Sequence, residues 1–122
     1  MDDTYTNLAE VEPLAIWPAV VARSVKGERM TLAVVDLEPN ADVAEHHHEN
    51  EQLGVVLKGE IIFTIAGVVR ALHAGDAYVI PSNVHHSART TEAGATVVDV
   101  FAPVRADWAS KERLPVAAGN WP

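Results

Sequence analysis

An all-β fold is predicted for this chain of 122 residues, and three observations predict it. Valine is abundant, at 18 residues, and the runs it dominates are short. Those runs are bounded by Gly, Pro, Asn and Asp, which end strands and build turns. No stretch of 12 or more residues repeats apolar positions at the 3.6-residue period of a helix.

In chain order, strands are expected over residues 20–25, 30–37, 52–58, 60–65, 68–72, 77–80, 85–90 and 96–101. Ala66-Gly67 separates two of these runs by the length of a hairpin turn. Lys58-Gly59-Glu60 reads as a second tight reversal and His73-Ala74-Gly75-Asp76 as a third. Pro39 and Pro81 close strands because proline has no N–H for a ladder. The best helical segment, 105–112, is one or two turns long. Seven or eight short strands with almost no helix form the pattern of a sandwich or small barrel. The barrel is expected over 14–108, with an acidic N-terminal arm at 1–13 and a Pro- and Ala-rich C-terminal arm at 109–122.

Composition narrows the function. The 9 Lys and Arg stand against 17 Asp and Glu, a net charge of −8, and no basic cluster is present. Nucleic acid, whose phosphates such a surface repels, is not an expected partner. With no Cys, disulfides, thiolate metal sites and a cysteine nucleophile are excluded together. No apolar run approaches the ~20 residues of a membrane span. Met1-Asp2-Asp3-Thr4-Tyr5-Thr6 is acidic and polar, unlike a signal peptide, and the expected compartment is the cytoplasm.

Five of the six histidines fall in two clusters, His46-His47-His48 and His85-His86. In an extended segment residues i and i+2 face the same way, so His46 and His48 can point together while His47 points away. Two imidazoles meeting a third from elsewhere make a site for Zn, Fe, Ni or Cu. A solvated polar loop would account for the same residues without any metal.

The wider spacing separates these readings. Asn40-x5-His46-x-His48-x3-Gln52-x6-Gly59 is followed by Gly75-x5-Pro81-x-Asn83-x2-His86. This pair of motifs resembles the two motifs of the cupin superfamily, in the same order and at nearly every marked position. The resemblance implies a small antiparallel double-stranded β-helix barrel, or jelly roll. It also implies one divalent transition metal (Zn, Ni, Fe or Mn) held inside by His46, His48, Gln52 and His86. Asn40 and Asn83 stand where the family has Gly, and Asn tolerates positive φ better than other non-Gly residues. Thr90 replaces a frequent Asn. Gln52 replaces a Glu, so a neutral amide takes the place of a carboxylate and a divalent cation would keep its formal +2, which favours an anionic substrate.

Val97-Val98-Asp99-Val100-Phe101 places one carboxylate in a buried-looking strand. Such a group is costly unless paired, so Asp99 is either a satisfied structural residue or an inward carboxylate poised for acid–base work. Alternation puts Phe101 on the face of Asp99, and Arg105 follows Pro103 as a cation near the same rim. The run from Asp99 to Asp107, taken with Val56-Leu57-x-Gly59-Glu60 and Ile80-Pro81-Ser82-Asn83, resembles the pectin-degradation cupins of the KdgF type. That resemblance implies ring opening of 4,5-unsaturated monouronates to linear keto forms. Asp99 and Arg105 would then be catalytic, with Phe101 and Arg105 binding substrate. It also implies a homodimer, as do the apolar arms. His85 stands where that group has Pro. His47 and His73 are expected to be exposed, Glu51 to face away from Gln52, and Trp17, Trp108 and Trp121 to anchor the arms. The alternatives are a metal-dependent dioxygenase on the same ligands and a non-catalytic sugar- or metabolite-binding cupin.

Overall fold

The computed structural model describes residues 4–121. Nine strands run in the order β1 (Leu14–Trp17), β2 (Val20–Lys26), β3 (Thr31–Leu37), β4 (Asp42–His46), β5 (Glu51–Ile65), β6 (Val68–His73), β7 (Ala77–Ile80), β8 (His86–Ala102) and β9 (Glu112–Arg113). Short 3₁₀ turns at Leu8–Glu10 and Ala106–Ser110 are the helical elements among the described residues. Every strand pairing is antiparallel.

Two strands organise the barrel. The first half of β5 pairs with β7 and with the second half of β8, and β8 continues the sheet through β3, β2, β1 and β9. The second half of β5 pairs with β6 and with the first half of β8, which also carries β4. Both long strands therefore pass from a larger sheet into a smaller one. The core lies between, built from Val35, Leu37, Val43, Val56, Ile61, Phe63, Ile80 and Val97.

This continuity corrects two expectations. Lys58-Gly59-Glu60 is not a reversal, because β5 runs unbroken from Glu51 to Ile65. The segments expected at 85–90 and 96–101 likewise belong to one strand, β8. In each, a glycine turns the chain without ending it: Gly59 has φ 83° and Gly94 φ 62°, and β5 shifts register on either side of Gly59. A Cβ on Gly59 would overlap the carbonyl of Gly94, so the two bends pack directly on one another. Strands β1 and β4 were not expected, and β9 lies inside the expected C-terminal arm.

The remaining turns follow the sequence. Ala66 (φ 51°) and Gly67 (φ 78°) form a two-residue β5–β6 hairpin with both residues left-handed. Asn40 (φ 57°) and Asn83 (φ 63°) adopt the conformation for which the related motifs use glycine. The 105–112 segment contains the 3₁₀ turn Ala106–Ser110, whose Trp108 is buried against Phe101 at 5.2 Å between ring centroids.

Candidate metal centre

Two strand ends and one loop bring the histidines together. His46 ends β4 and lies directly opposite His86, which begins β8. His48 stands in the loop after β4 and reaches the same point. Ring centroids are 4.3 Å apart for His46–His86, 4.9 Å for His48–His86 and 5.8 Å for His46–His48. One ring nitrogen from each lies within 4.8 Å of the others.

Hydrogen bonds fix which nitrogen that is. The Nδ1–H of His46 donates to the Ala44 carbonyl at 2.8 Å, that of His48 to Asn50 at 2.9 Å and that of His86 to Val84 at 2.8 Å. A carbonyl can only accept, so each ring carries its proton on Nδ1 and leaves the Nε2 lone pair free. Backbone partners of this kind orient histidine ligands around a metal. Burial holds His48 below its ordinary pKa and pushes His86 down to about 4, so both rings are neutral near pH 7. The Nε2 of His48 is buried with no hydrogen-bond partner among the described residues. An orphaned buried nitrogen is costly unless something occupies its lone pair. Three imidazole nitrogen donors suit a first-row transition metal and not Mg or Ca, which prefer all-oxygen shells. The residues present fit the ion that the resemblance implies.

Gln52 is buried on β5, as expected, while Glu51 is exposed. Its side chain lies beside both His48 and Asp99. Asp99 is buried too, and its Oδ1 accepts a 2.5 Å hydrogen bond from the Tyr78 hydroxyl. Burial pushes the Asp99 carboxyl from 3.8 up to about 6, against the smaller opposing pulls of Tyr78, Gln52 and Arg105. The same pairing, after burial, holds the Tyr78 hydroxyl well above its ordinary value. Gly54 makes this contact possible: it pairs with Tyr78 on one side and Asp99 on the other, and a Cβ there would overlap the Tyr78 ring.

Phe101, buried in the core, and Arg105 complete the expected set. The Arg105 guanidinium lies 4.6 Å from the Phe101 centroid and 4.9 Å from that of Trp108. It forms a two-point pair with Asp107 (3.1 and 3.0 Å), which holds the Asp107 carboxyl below its usual range. Its backbone N–H donates to the Thr31 hydroxyl at 3.0 Å. The Asn50 amide donates to the Pro103 carbonyl at 2.6 Å and so ties the 103–105 turn beside the histidine loop.

All seven expected site residues line one cavity of about 260 Å³. Its lining joins the polar groups of the site to the apolar Val35, Leu37, Val43, Ile61, Phe63 and Val97. Trp17 lines it as well, 5.1 Å from the His46 ring, so it serves the site as well as packing. Trp108, buried as a packing residue, also lines the cavity, and Trp121 is 42% exposed. Sequence reasoning missed Tyr78, Asn50, Lys111 and Asp107 as neighbours of the site. His47 and His73 are exposed as expected; His47 stacks on His85 at 4.4 Å, and His73 hydrogen-bonds Glu60 at 2.7 Å.

A closed antiparallel barrel with three histidine Nε2 atoms converging inside it defines a class of small β-barrel suited to holding a metal ion. The chain belongs to the cupin family: the model for the Cupin domain matches residues 33–101. Among curated proteins it is 34% identical over 79 residues to the H2HPP isomerase of Bacillus subtilis, covering 63% of this chain and 33% of that protein. It is 36% identical over 64 residues to the pectin degradation protein KdgF of Dickeya dadantii, covering 52% of this chain and 58% of that one. The aligned segment thus spans less than two thirds of either relative. The solved structure of KdgF from Halomonas sp. superposes with a TM-score of 0.78 at 27% identity, covering 87% of this chain and 98% of that chain. No helix among the described residues is long and apolar enough to cross a membrane.

Proposed function

We propose that this cupin is a metal-dependent isomerase that opens cyclic 4,5-unsaturated monouronates to their linear keto forms. The observation that carries the reading is Asp99, a buried carboxyl on the wall of the cavity that holds the histidines, with its pKa raised to about 6. A group poised there can take and return a proton near neutral pH.

Ring opening needs that exchange. Asp99 accepts the proton of the anomeric hydroxyl as the bond from the anomeric carbon to the ring oxygen breaks. The electron pair goes to the ring oxygen, which becomes the enol oxygen of the existing double bond. The same carboxyl then gives its proton to C4, leaving a ketone at C5. A divalent metal held by His46, His48, His86 and the Gln52 amide oxygen would polarise a substrate oxygen as a Lewis acid. Tyr78 keeps Asp99 oriented, and Arg105 and Lys111 offset the substrate carboxylate at the mouth. The apolar part of the lining offers no partner to a hydroxyl, and a 4,5-unsaturated uronate has none at C4.

The test is the loss of ring double-bond absorbance from lyase-generated monouronates. Metal-loaded protein should accelerate it well beyond the spontaneous rate, and Asp99→Asn should lower that rate about a hundredfold or more with metal content unchanged. No acceleration by the loaded wild type, or full activity in Asp99→Asn, would defeat the reading.

A further inference from the structure

The corner between β1 and β2 aims one indole into the cavity. Leu14 lies opposite Ala22 and Ala15 opposite Val21, but Trp17 lies opposite Val20, so β1 carries an extra residue, Ile16. Strict alternation from the buried Leu14 would turn Ile16 in and Trp17 out. The bulge moves Trp17 onto the inward face it shares with Val20, and Ile16, Trp17 and Val20 all line the cavity. Pro18 and Ala19 make the two-residue turn that follows, with Ala19 left-handed at φ 64°. An alanine there carries a steric cost that a glycine would not. The Glu38 N–H donates to the Ala19 carbonyl at 3.0 Å and pins the corner. A bulge before one side chain and a strained turn after it mark a position held for use.

Packing alone does not account for this indole. Trp108, which packs against Phe101, is buried, whereas Trp17 is only half-buried. The Trp17 ring stands 5.1 Å from that of His46 and is tilted 50° to it, so it is not stacked on the imidazole. His46 does not rely on it for orientation, because the Ala44 carbonyl already holds that ring. Indole surface therefore remains open to the cavity beside the histidines.

We infer that Trp17 is the platform on which the substrate ring lies, an inference that rests on the proposed ring-opening reaction. In a 4,5-unsaturated uronate the C4=C5 double bond, the ring oxygen and the carboxylate carbon share a plane, with no hydroxyl at C4. That flat, conjugated part of the ring suits the face of an indole. A saturated uronate is puckered and carries a hydroxyl at C4, so it meets the indole less closely. The linear keto product has a tetrahedral C4 and no ring, and it loses the contact as well. Trp17 thus favours the flat cyclic substrate over both.

The test pairs Trp17→Leu, which keeps apolar bulk but loses the flat face, with Trp17→Phe, which keeps a smaller one. Both are loaded with metal and assayed by the loss of ring double-bond absorbance from lyase-generated monouronates. Trp17→Leu should raise KM about tenfold with kcat within about twofold, and Trp17→Phe should stay within about threefold of the wild-type KM. Calorimetric titration of the same uronate into Asp99→Asn, with and without Trp17→Leu, should show the same loss of affinity without turnover. Metal content should be unchanged throughout. A wild-type KM in Trp17→Leu, or equal losses in the Leu and Phe variants, overturns the inference and leaves the ring-opening reading standing. So does loss of metal from Trp17→Leu, which would make the indole a support for His46. A wild type that accelerates nothing defeats the ring-opening reading, and the titration then decides the platform. The platform falls if Asp99→Asn does not bind the uronate, or binds it equally well with Trp17→Leu.

Discussion

Replacing Asp99 with asparagine separates the energetic cost of the buried carboxylate from its chemical use. Burial is the largest influence on this group and moves it from 3.8 to about 6. A folded-state pKa above the unfolded one means that the folded protein binds the proton more tightly. Ionisation of Asp99 therefore destabilises the fold, and stability rises as pH falls through about 6 towards 4. A difference of about two units corresponds to about 3 kcal/mol at pH 7.5, where both states are ionised. Asn keeps an oxygen to accept from Tyr78, and its amide can meet that of Gln52. In metal-free protein, Asp99→Asn should thus be the more stable form at pH 7.5, by up to about 3 kcal/mol. For a domain of this size that is on the order of 10 °C in Tm. The gap should close near pH 4, where the wild-type carboxyl is protonated. Calorimetry of both chelated proteins at the two pH values measures it. If Asp99→Asn melts lower than wild type at pH 7.5, the ionised carboxylate is a net stabilising partner and the desolvation argument is wrong.

Other variants address the neighbours of Asp99. His48→Ala removes a donor whose Nε2 is buried without another partner, so the purified protein should stay folded but lose most of its metal by elemental analysis. Gln52→Glu should fold and retain metal, but it puts a second carboxylate beside Asp99 and lowers the site charge by one. Weaker apparent affinity for an anionic substrate is expected, and unchanged KM and kcat would show that the neutral amide has no role. Gly54→Ala drives a methyl into the Tyr78 ring and should cost about 1–3 kcal/mol of stability, read from a denaturant midpoint. It should also lower the rate by displacing the Tyr78–Asp99 pair, and a wild-type midpoint would contradict the packing described.

The convergence of the candidate-site residues was legible because its signal is local. Two motifs with fixed spacing carry all three histidines and Gln52, and the turns between them need only residues that tolerate positive φ, as Asn40 and Asn83 do. Even so, strand alternation was not the whole reason for the His46–His48 pairing. Strand β4 ends at His46, its register slips between Val43 and His46, and His48 is aimed by a loop hydrogen bond to Asn50. What escaped sequence reading depends on register between distant strands. Tyr78, Gly54 and Asp99 lie on three different strands, and nothing in the local sequence of β7 marks its tyrosine as the partner of a carboxylate on β8. The two glycine bends misled for the opposite reason. Locally, Gly59 and Gly94 look like strand ends, and only their packing on one another shows that both strands continue.

Gln52 and Asp99 make sense as a pair. A carboxylate at position 52 would face two competing demands: to bind the metal, and to share a buried wall with a second carboxylate one register step away. Two buried carboxylates in contact cannot both stay ionised, and one would take up a proton near neutral pH. With an amide at 52, the site keeps a single acidic group facing the cavity wall, held by Tyr78 and raised to about 6 by burial. On the proposed mechanism the neutral ligand leaves the full formal charge of a divalent cation to attract the uronate. It also leaves Asp99 with a proton affinity that suits transfer, whereas Asp107 at the rim is held below its usual range by Arg105. The departure at position 52 and the buried acid at position 99 are then two parts of one electrostatic arrangement, and a change at either should alter what the other can do.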